Sequence, residues 1–241
     1  MVLESVDSTN EYLMREADTL KSPLLVAARH QTAGHGQRGN SWESAAGENL
    51  TFSVLIRLEA FSPLLQFYIS EAVSLSVVDF LARHGIEAMV KWPNDIYVGD
   101  RKICGILIRH SIAGNSISYS VIGVGINVNQ TKFLSNAPNP VSMSMISGYR
   151  YSIDQLYEEI GTCIENRLQA IDTEASRDHL HQEFMNTLWR GDGKYYSFTD
   201  TATGETFTAT IHDISRQGPI TLRLPDATLR TYNFKEVSFN L

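Results

Sequence analysis

Cysteine is scarce in this chain: Cys104 and Cys163 are the two thiols among 241 residues. They form no C-x-x-C pair, which excludes a disulfide scaffold or zinc ribbon and points to a reducing compartment, the cytoplasm by default. No unbroken apolar run reaches the roughly 18 residues that would span a bilayer, and the start MVLESVDSTN lacks the basic and apolar stretches of a secretion signal. No membrane role is expected. A basic excess is missing too. Lys and Arg number 20 against 27 Asp and Glu, a net charge of -7, so a sequence-independent grip on phosphate backbones, and nucleic acid as a partner, are not expected. H-E-x-x-H spacing does not occur, and His179 and His181 alternate in a helical stretch, so they share no face. No protein metal site is expected, and both histidines read as solvated.

Glycine is concentrated in 31-QTAGHGQRGNSW-42. Within it, 34-GHGQRG-39 fits the dinucleotide fingerprint G-x-G-x-x-G, whose mechanism needs a strand before the glycines and a helix starting on them. The apolar run 24-LLVAA-28 supplies the strand. The residues after the loop alternate into β-branched and aromatic types through 51-TFSVLI-56, which predicts a second strand and no pyrophosphate-holding helix. A glycine-rich loop of this kind can instead close its backbone over a small anion.

Elsewhere the pattern predicts an α+β chain. Ser8 with Glu11 reads as a capping box for a helix over 8–20. A second helix is bounded by Ser62, Pro63 and Gly85. Short strands follow around the turn at Gly99 and Asp100 and again over 116–129. Ser152 with Gln155 reads as the cap of a third helix, and a fourth runs from about Glu174 to Trp189. After 191-GDGK-194 the chain turns to short alternating strands. The expected organisation is a domain over 1–189, a mixed β-sheet flanked by helices, and a small SH3-like β-barrel over 190–241. An exposed sheet edge would allow a homodimer.

Three further stretches carry chemistry. In 91-KWPND-95 a cation, an amide and a carboxylate stand together at the mouth of a strand, although an ordinary turn has the same letters. In 101-RKICGIL-107, Lys102 enters an otherwise apolar strand, either as a snorkelling edge residue or as a cation aimed into a cleft, and Gly105 permits close backbone approach. Cys104 beside it could be a thiol nucleophile, but no base is evident. In 123-GVGINVN-129, Asn127 and Asn129 end a strand and could hold a nucleotide or cap a turn. Met143 and Met145 read as packing.

Taken in order, 7-DSTN-10, 31-QTAGHGQRGNSW-42, 91-KWPNDIY-97, 101-RKICGIL-107 and 123-GVGINVN-129 resemble the biotin protein ligases, and the likeness extends into the C-terminal segment. That resemblance implies an enzyme that makes biotinoyl-AMP from biotin and ATP with Mg²⁺ and passes the biotinoyl group to a lysine of a biotin carboxyl carrier domain. It further implies that Ser8, Thr9, Asn10 and Gln31 bind the ureido ring, and that Gly34, His35, Gly36 and Gln37 fold over the carboxyl and phosphate with Arg38. Lys102 would neutralise charge at the reacting atoms, beside Gly105, while Asn94, Asp95 and Asn127 would help place ATP and its metal and Trp42 would border the adenine. Lys102 and Arg38 are the expected catalytic residues. Family members commonly carry two arginines where this chain has His35 and Gln37, which lowers the positive charge expected near the adenylate. The alternatives are a lipoate or octanoate ligase on the same fold, which would need a groove for a fatty acyl tail, and a non-enzymatic biotin-sensing regulator. Before Ser8 there is no room for the winged helix of the family's DNA-binding members.

Overall fold

A seven-stranded sheet, ordered β1-β2-β3-β7-β6-β5-β4, forms the centre of the computed structural model, which describes residues 1–37, 40–134 and 139–240. Its strands are β1 (Val2–Val6), β2 (Leu24–Gln31), β3 (Leu50–Phe61), β4 (Met89–Lys91), β5 (Asp95–Val98), β6 (Arg101–Ala113) and β7 (Ser116–Ile126). β1 and β2 run parallel and the other neighbours antiparallel, so the sheet is mixed. Alternation along β3 assigns its two faces. Leu55 joins Val26 and Val121 under Leu13 of α1 (Thr9–Glu16) and Ala17, its C-cap, while Phe52, Val54 and Ile56 face the larger core.

That larger core is built on α2 (Gln66–Arg83), α4 (Ile153–Leu168) and α5 (Glu174–Asn186), with the short α3 (Met143–Ser147) at the end of the 127–141 segment. The signals around α2 are local and form as read: Ser62 accepts a hydrogen bond from the Leu64 N–H in a 3-10 turn at Pro63–Leu65, and Gly85 has φ +70°. By length and composition the helical stretch Pro63–Arg83 could cross a membrane, but most of it is buried inside this fold.

Two expected caps do not form. α1 is shorter than the 8–20 stretch, and Ser8 makes no side-chain cap bond. Glu11 pairs instead with Arg109 of β6, Oε1 to Nη1 at 2.5 Å, so tertiary charge pairing wins over the local box. Ser152 likewise makes no side-chain cap bond, whereas Thr173 and Ser176 build a reciprocal capping box at α5.

The C-terminal strands are β8 (Tyr196–Asp200), β9 (Thr206–Ile214), β10 (Ile220–Arg223), β11 (Leu229–Tyr232) and β12 (Val237–Phe239), antiparallel in the order β11-β10-β9-β8-β12. The five strands form the small C-terminal β unit that the sequence predicts, and among the described residues no ladder is assigned between β11 and β12. Its apolar residues Ile214, Ile220 and Leu222 belong to the same continuous core as α2 and β3. Trp92 forms the seam: its Nε1 donates to the Gly218 carbonyl at 2.8 Å and its ring packs edge-on to Phe234 at 5.3 Å.

Candidate active site

One cavity of about 680 Å³ opens over β3, β7, β6 and β5, within the size range of small-molecule sites. Of the residues expected at the site, Ser8, Thr9, Asn10, Gln31, His35, Gly36, Gln37, Trp42, Asn94, Asp95, Lys102, Gly105 and Asn127 all line it. Gly34 does not. Its carbonyl accepts the Trp42 N–H at 2.9 Å, and a Cβ there would stand 2.7 Å from the Trp42 carbonyl oxygen, so its role is to let the loop close. Arg38 lies outside the described residues. Among the described residues no α-helix stands between the loop and β3, so the dinucleotide fingerprint is a coincidence of letters.

At one end the polar groups of α1 meet the sheet. The Thr9 N–H donates to Gln31 Oε1 at 2.7 Å, and the Thr9 hydroxyl lies 3.2 Å from that oxygen and 2.8 Å from Ser53 Oγ. Asn10 Nδ2 donates to the Leu107 carbonyl at 3.3 Å, and a Cβ on Gly123 would lie 2.9 Å from that nitrogen. A buried polar cluster linked this way is held rigidly for a ligand that both donates and accepts. Ser53 and Gly123 were not foreseen. The signal for Ser53 was a hydroxyl in the buried row of β3 that also contains Leu55.

The middle of the cavity floor is made of glycine. Gly105 and Gly125 are paired across β6 and β7, and the Trp42 indole lies on them. A Cβ on Gly125 would be 2.3 Å from Trp42 Cε2, and one on Gly105 would be 3.0 Å from Cζ3. Trp42 Nε1 is buried without a hydrogen-bond partner among the described residues.

At the other end the charges converge through strand pairing. Asp95 of β5 is opposite Lys91 of β4 on one side and Gly105 of β6 on the other. Lys102 Nζ lies 2.6 Å from Asp95 Oδ1 and 5.9 Å from the Trp42 ring centroid. The choice left open for Lys102 is therefore resolved in favour of a cation in the cleft. Its backbone is clamped, with N–H to Asn139 O and carbonyl to Val141 N both at 2.9 Å. Lys91 donates to the Tyr97 hydroxyl at 3.1 Å and faces the rings of Tyr97, Trp189 and Phe239 at 4.7, 5.8 and 5.7 Å. Burial lowers its ammonium pKa below the usual lysine range, Lys102 and Arg190 push it the same way, and Asp95 opposes them.

Asn94 and Asn127 use their side-chain nitrogens on the backbone, Asn94 to Ile106 O at 2.5 Å and Asn127 to Val141 O at 3.1 Å, so they tie down the strand ends that they line. Asn129 is turned away and exchanges hydrogen bonds with the Tyr151 backbone, both at 2.9 Å. Cys104 is fully buried, and burial pushes its thiol pKa well up, which removes it as a nucleophile. Met143 is buried as packing, but Met145 is exposed. His179 is exposed beside Glu183, whereas His181, expected to be solvated, pairs with the fully buried Glu71 at 2.6 Å. Lys235, from the turn between β11 and β12, also reaches the cavity and was not foreseen.

The family described as Biotin/lipoate A/B protein ligase matches the chain over residues 2–127. That span holds every cavity-lining residue except Phe133, Pro140 and Lys235. The chain is 39% identical over 128 residues to the bifunctional ligase/repressor BirA of Escherichia coli (strain K12), a match covering 53% of this chain and 40% of that protein. It is 31% identical over 130 residues to the biotin--[acetyl-CoA-carboxylase] ligase of Paracoccus denitrificans, covering 53% of each. The chain thus spans about half the length of the curated relatives it matches. Among solved structures, the biotin protein ligase from Aquifex aeolicus in complex with biotin and ATP superposes with a TM-score of 0.81 over 100% of this chain and 97% of that one, at 23% identity. This last likeness is one of fold.

Proposed function

The chain belongs to the biotin/lipoate A/B protein ligase family, and from that premise we propose that it is a biotin protein ligase, activating biotin with ATP and passing the acyl group to a lysine of a biotin carboxyl carrier domain. The observation that carries the reading is the polar cluster of Thr9, Gln31 and Ser53 with Asn10 at one end of the cavity. A ureido ring offers two N–H donors and a carbonyl acceptor to such a cluster. The dithiolane or methyl end of a lipoyl or octanoyl chain would make no hydrogen bond to these groups while excluding water from them, so the lipoate alternative is disfavoured.

In the first step a biotin carboxylate oxygen bonds to the α-phosphorus, the bond from that phosphorus to the bridging oxygen breaks, and the electron pair leaves on pyrophosphate. Lys102, fixed by its backbone clamp and by Asp95, supplies a preorganised positive charge where the carboxylate and α-phosphate meet. The glycine floor lets the reacting groups lie close to the backbone, and the loop over 35–37 covers them. In the second step the amine of the acceptor lysine attacks the acyl carbon and AMP departs. The amine attacks in its neutral form, and the proton shed by the new amide nitrogen passes to the departing AMP or to water.

Mg²⁺ fits this cavity in one way. Among the described residues no cluster of three His, Cys, Asp or Glu could hold a metal alone, and Asp95 is a single carboxylate at the lysine end. That matches an ion that arrives on nucleotide phosphates and takes one protein carboxylate and water. When bound, it supplies charge neutralisation to the polyphosphate. The test is ATP–pyrophosphate exchange with biotin, lipoate or octanoate as the acid. Exchange that depends on biotin is expected, and equal or greater exchange with lipoate or octanoate would overturn the assignment.

A further inference from the structure

Arg109 is not among the residues that line the cavity, yet it reaches the polar cluster there from behind. It stands on β6 two residues beyond Leu107, on the same face of the sheet. Its Nη1, which carries two hydrogens, donates to Glu11 Oε1 at 2.5 Å and to Asn10 Oδ1 at 3.5 Å. Glu11 is available for this pairing because the group it would meet in a capping box, the Ser8 N–H, already donates to Asp7 Oδ1 at 2.8 Å. Asp7 is held in turn by Arg15, Nη1 to Oδ2 at 2.6 Å.

The consequence falls on Asn10, which is buried over the paired residues Gly123 and Leu107. Its Nδ2 occupies the space that a side chain on Gly123 would take and donates to the Leu107 carbonyl at 3.3 Å. The two ends of a side-chain amide have nearly the same shape, so their partners decide which end is oxygen and which is nitrogen. Turned over, the Asn10 amide would set its NH2 group against the guanidinium and its oxygen against the Leu107 carbonyl oxygen, two repulsions in place of two attractions. At 3.5 Å Arg109 acts mainly through its charge, and in a partly buried setting that charge is strong enough to hold the oxygen end. Fixed this way, Asn10 keeps one hydrogen on Nδ2 and one lone pair on Oδ1 for a ligand.

We propose that Arg109 is a positioning residue for biotin: through Glu11 it pins the first turn of α1 to β6, and through its charge it sets the Asn10 amide that meets the ureido ring. The inference rests on the biotin reading above. A cluster preset by β6 loses no affinity to turning the amide when the ligand arrives.

The experiment uses the full chain and two measurements, calorimetric titration with biotin in the absence of ATP and biotin-dependent ATP–pyrophosphate exchange. Arg109→Met keeps the reach of the side chain and removes its charge and its hydrogen bonds. It is expected to raise the Kd and the KM for biotin by about tenfold, with kcat and the KM for ATP close to those of the wild type. Tm should change little, because the ion pair with Glu11 is open to solvent. Arg109→Lys, which keeps the charge, should recover most of the affinity. In an Asn10→Ala background Arg109→Met should have no further effect on biotin binding, the mark of a residue that acts through Asn10. A Kd for biotin within about twofold of wild type in Arg109→Met would overturn the proposal and leave the biotin reading standing, as would a loss of the same size in the Asn10→Ala background. A wild type without biotin-dependent exchange would overturn the biotin reading, and this inference with it.

Discussion

Trp42 lies against Gly125 through the Nε1 side of its indole: a methyl group on Gly125 would stand 2.3 Å from Cε2, 2.6 Å from Cζ2 and 2.6 Å from Nε1. An indole ring is rigid, so any side chain at position 125 displaces the whole of Trp42. Gly125→Ala should lower Tm and cut biotin-dependent exchange by about a hundredfold. Adding Trp42→Ala should restore Tm without restoring exchange. If the double variant is no more stable than Gly125→Ala alone, the strain lies elsewhere.

Lys102→Ala should reduce the rate of adenylate formation by about two to three orders of magnitude, the usual effect of deleting one preorganised charge stabiliser. The side chain lies at the cavity edge rather than in the core, so Tm should stay close to that of the wild type. Single-turnover formation of biotinoyl-AMP measures this directly. A rate within about threefold of wild type would remove Lys102 from the reaction.

The loop over the cavity presents His35 and Gln37, neither of which offers the permanent bidentate charge with which an arginine would pair with phosphate. Release of the adenylate should therefore be easier. Incubation of the enzyme with biotin, ATP and an unrelated protein should label bystander lysines, and Gln37→Arg should suppress that labelling. Equal labelling in both would mean that another cation already holds the intermediate, and Arg38→Ala would then raise the leak.

The contact between His181 and Glu71 makes stability pH-dependent. The carboxylate raises the His181 pKa above its ordinary value of 6.5, while burial raises that of Glu71. A raised folded-state value means that the stabilisation from His181 is complete below pH 6.5 and is lost as pH rises through the folded-state value. Glu71 shifts in the same sense, and Arg216 and Asp213 face the pair from the C-terminal sheet without reversing it. Tm should therefore fall as pH rises above 6.5, and His181→Gln should flatten that slope. A slope that survives the substitution would assign it to another group.

Elements specified by neighbouring residues were legible in the sequence: α2, with its serine, proline and glycine at the ends, is the clearest case. Where a distant partner competes, the local signal misleads. Glu11 satisfies every local rule for a capping box with Ser8 and is taken by Arg109, about a hundred residues away in the chain. The same distinction runs through the site. Motif letters brought Thr9, Gln31, Asp95 and Lys102 together because each belongs to a recognisable stretch. Ser53 and Lys235 have no such stretch around them, and only the pairing of β3 with its neighbours and the docking of the C-terminal sheet reveal them. Lys91 was visible as a charge, but its aromatic box of Tyr97, Trp189 and Phe239 comes from three separate strands and loops.

Trp92 sits inside the stretch that carries Asn94 and Asp95, yet its indole points into the seam, bonded to Gly218 and packed on Phe234. The chain has three tryptophans, and the other two are Trp42 on the glycine floor and Trp189 beneath the Arg190 guanidinium at 4.1 Å. Each occupies a different polarity, so intrinsic fluorescence divides into three local reporters. In single-tryptophan variants, emission from Trp42 would follow filling of the cavity and emission from Trp92 would follow release of the C-terminal sheet. Comparing the two signals measures in solution, by light alone and without an attached dye, how far filling of the cavity and seating of the last fifty or so residues go together.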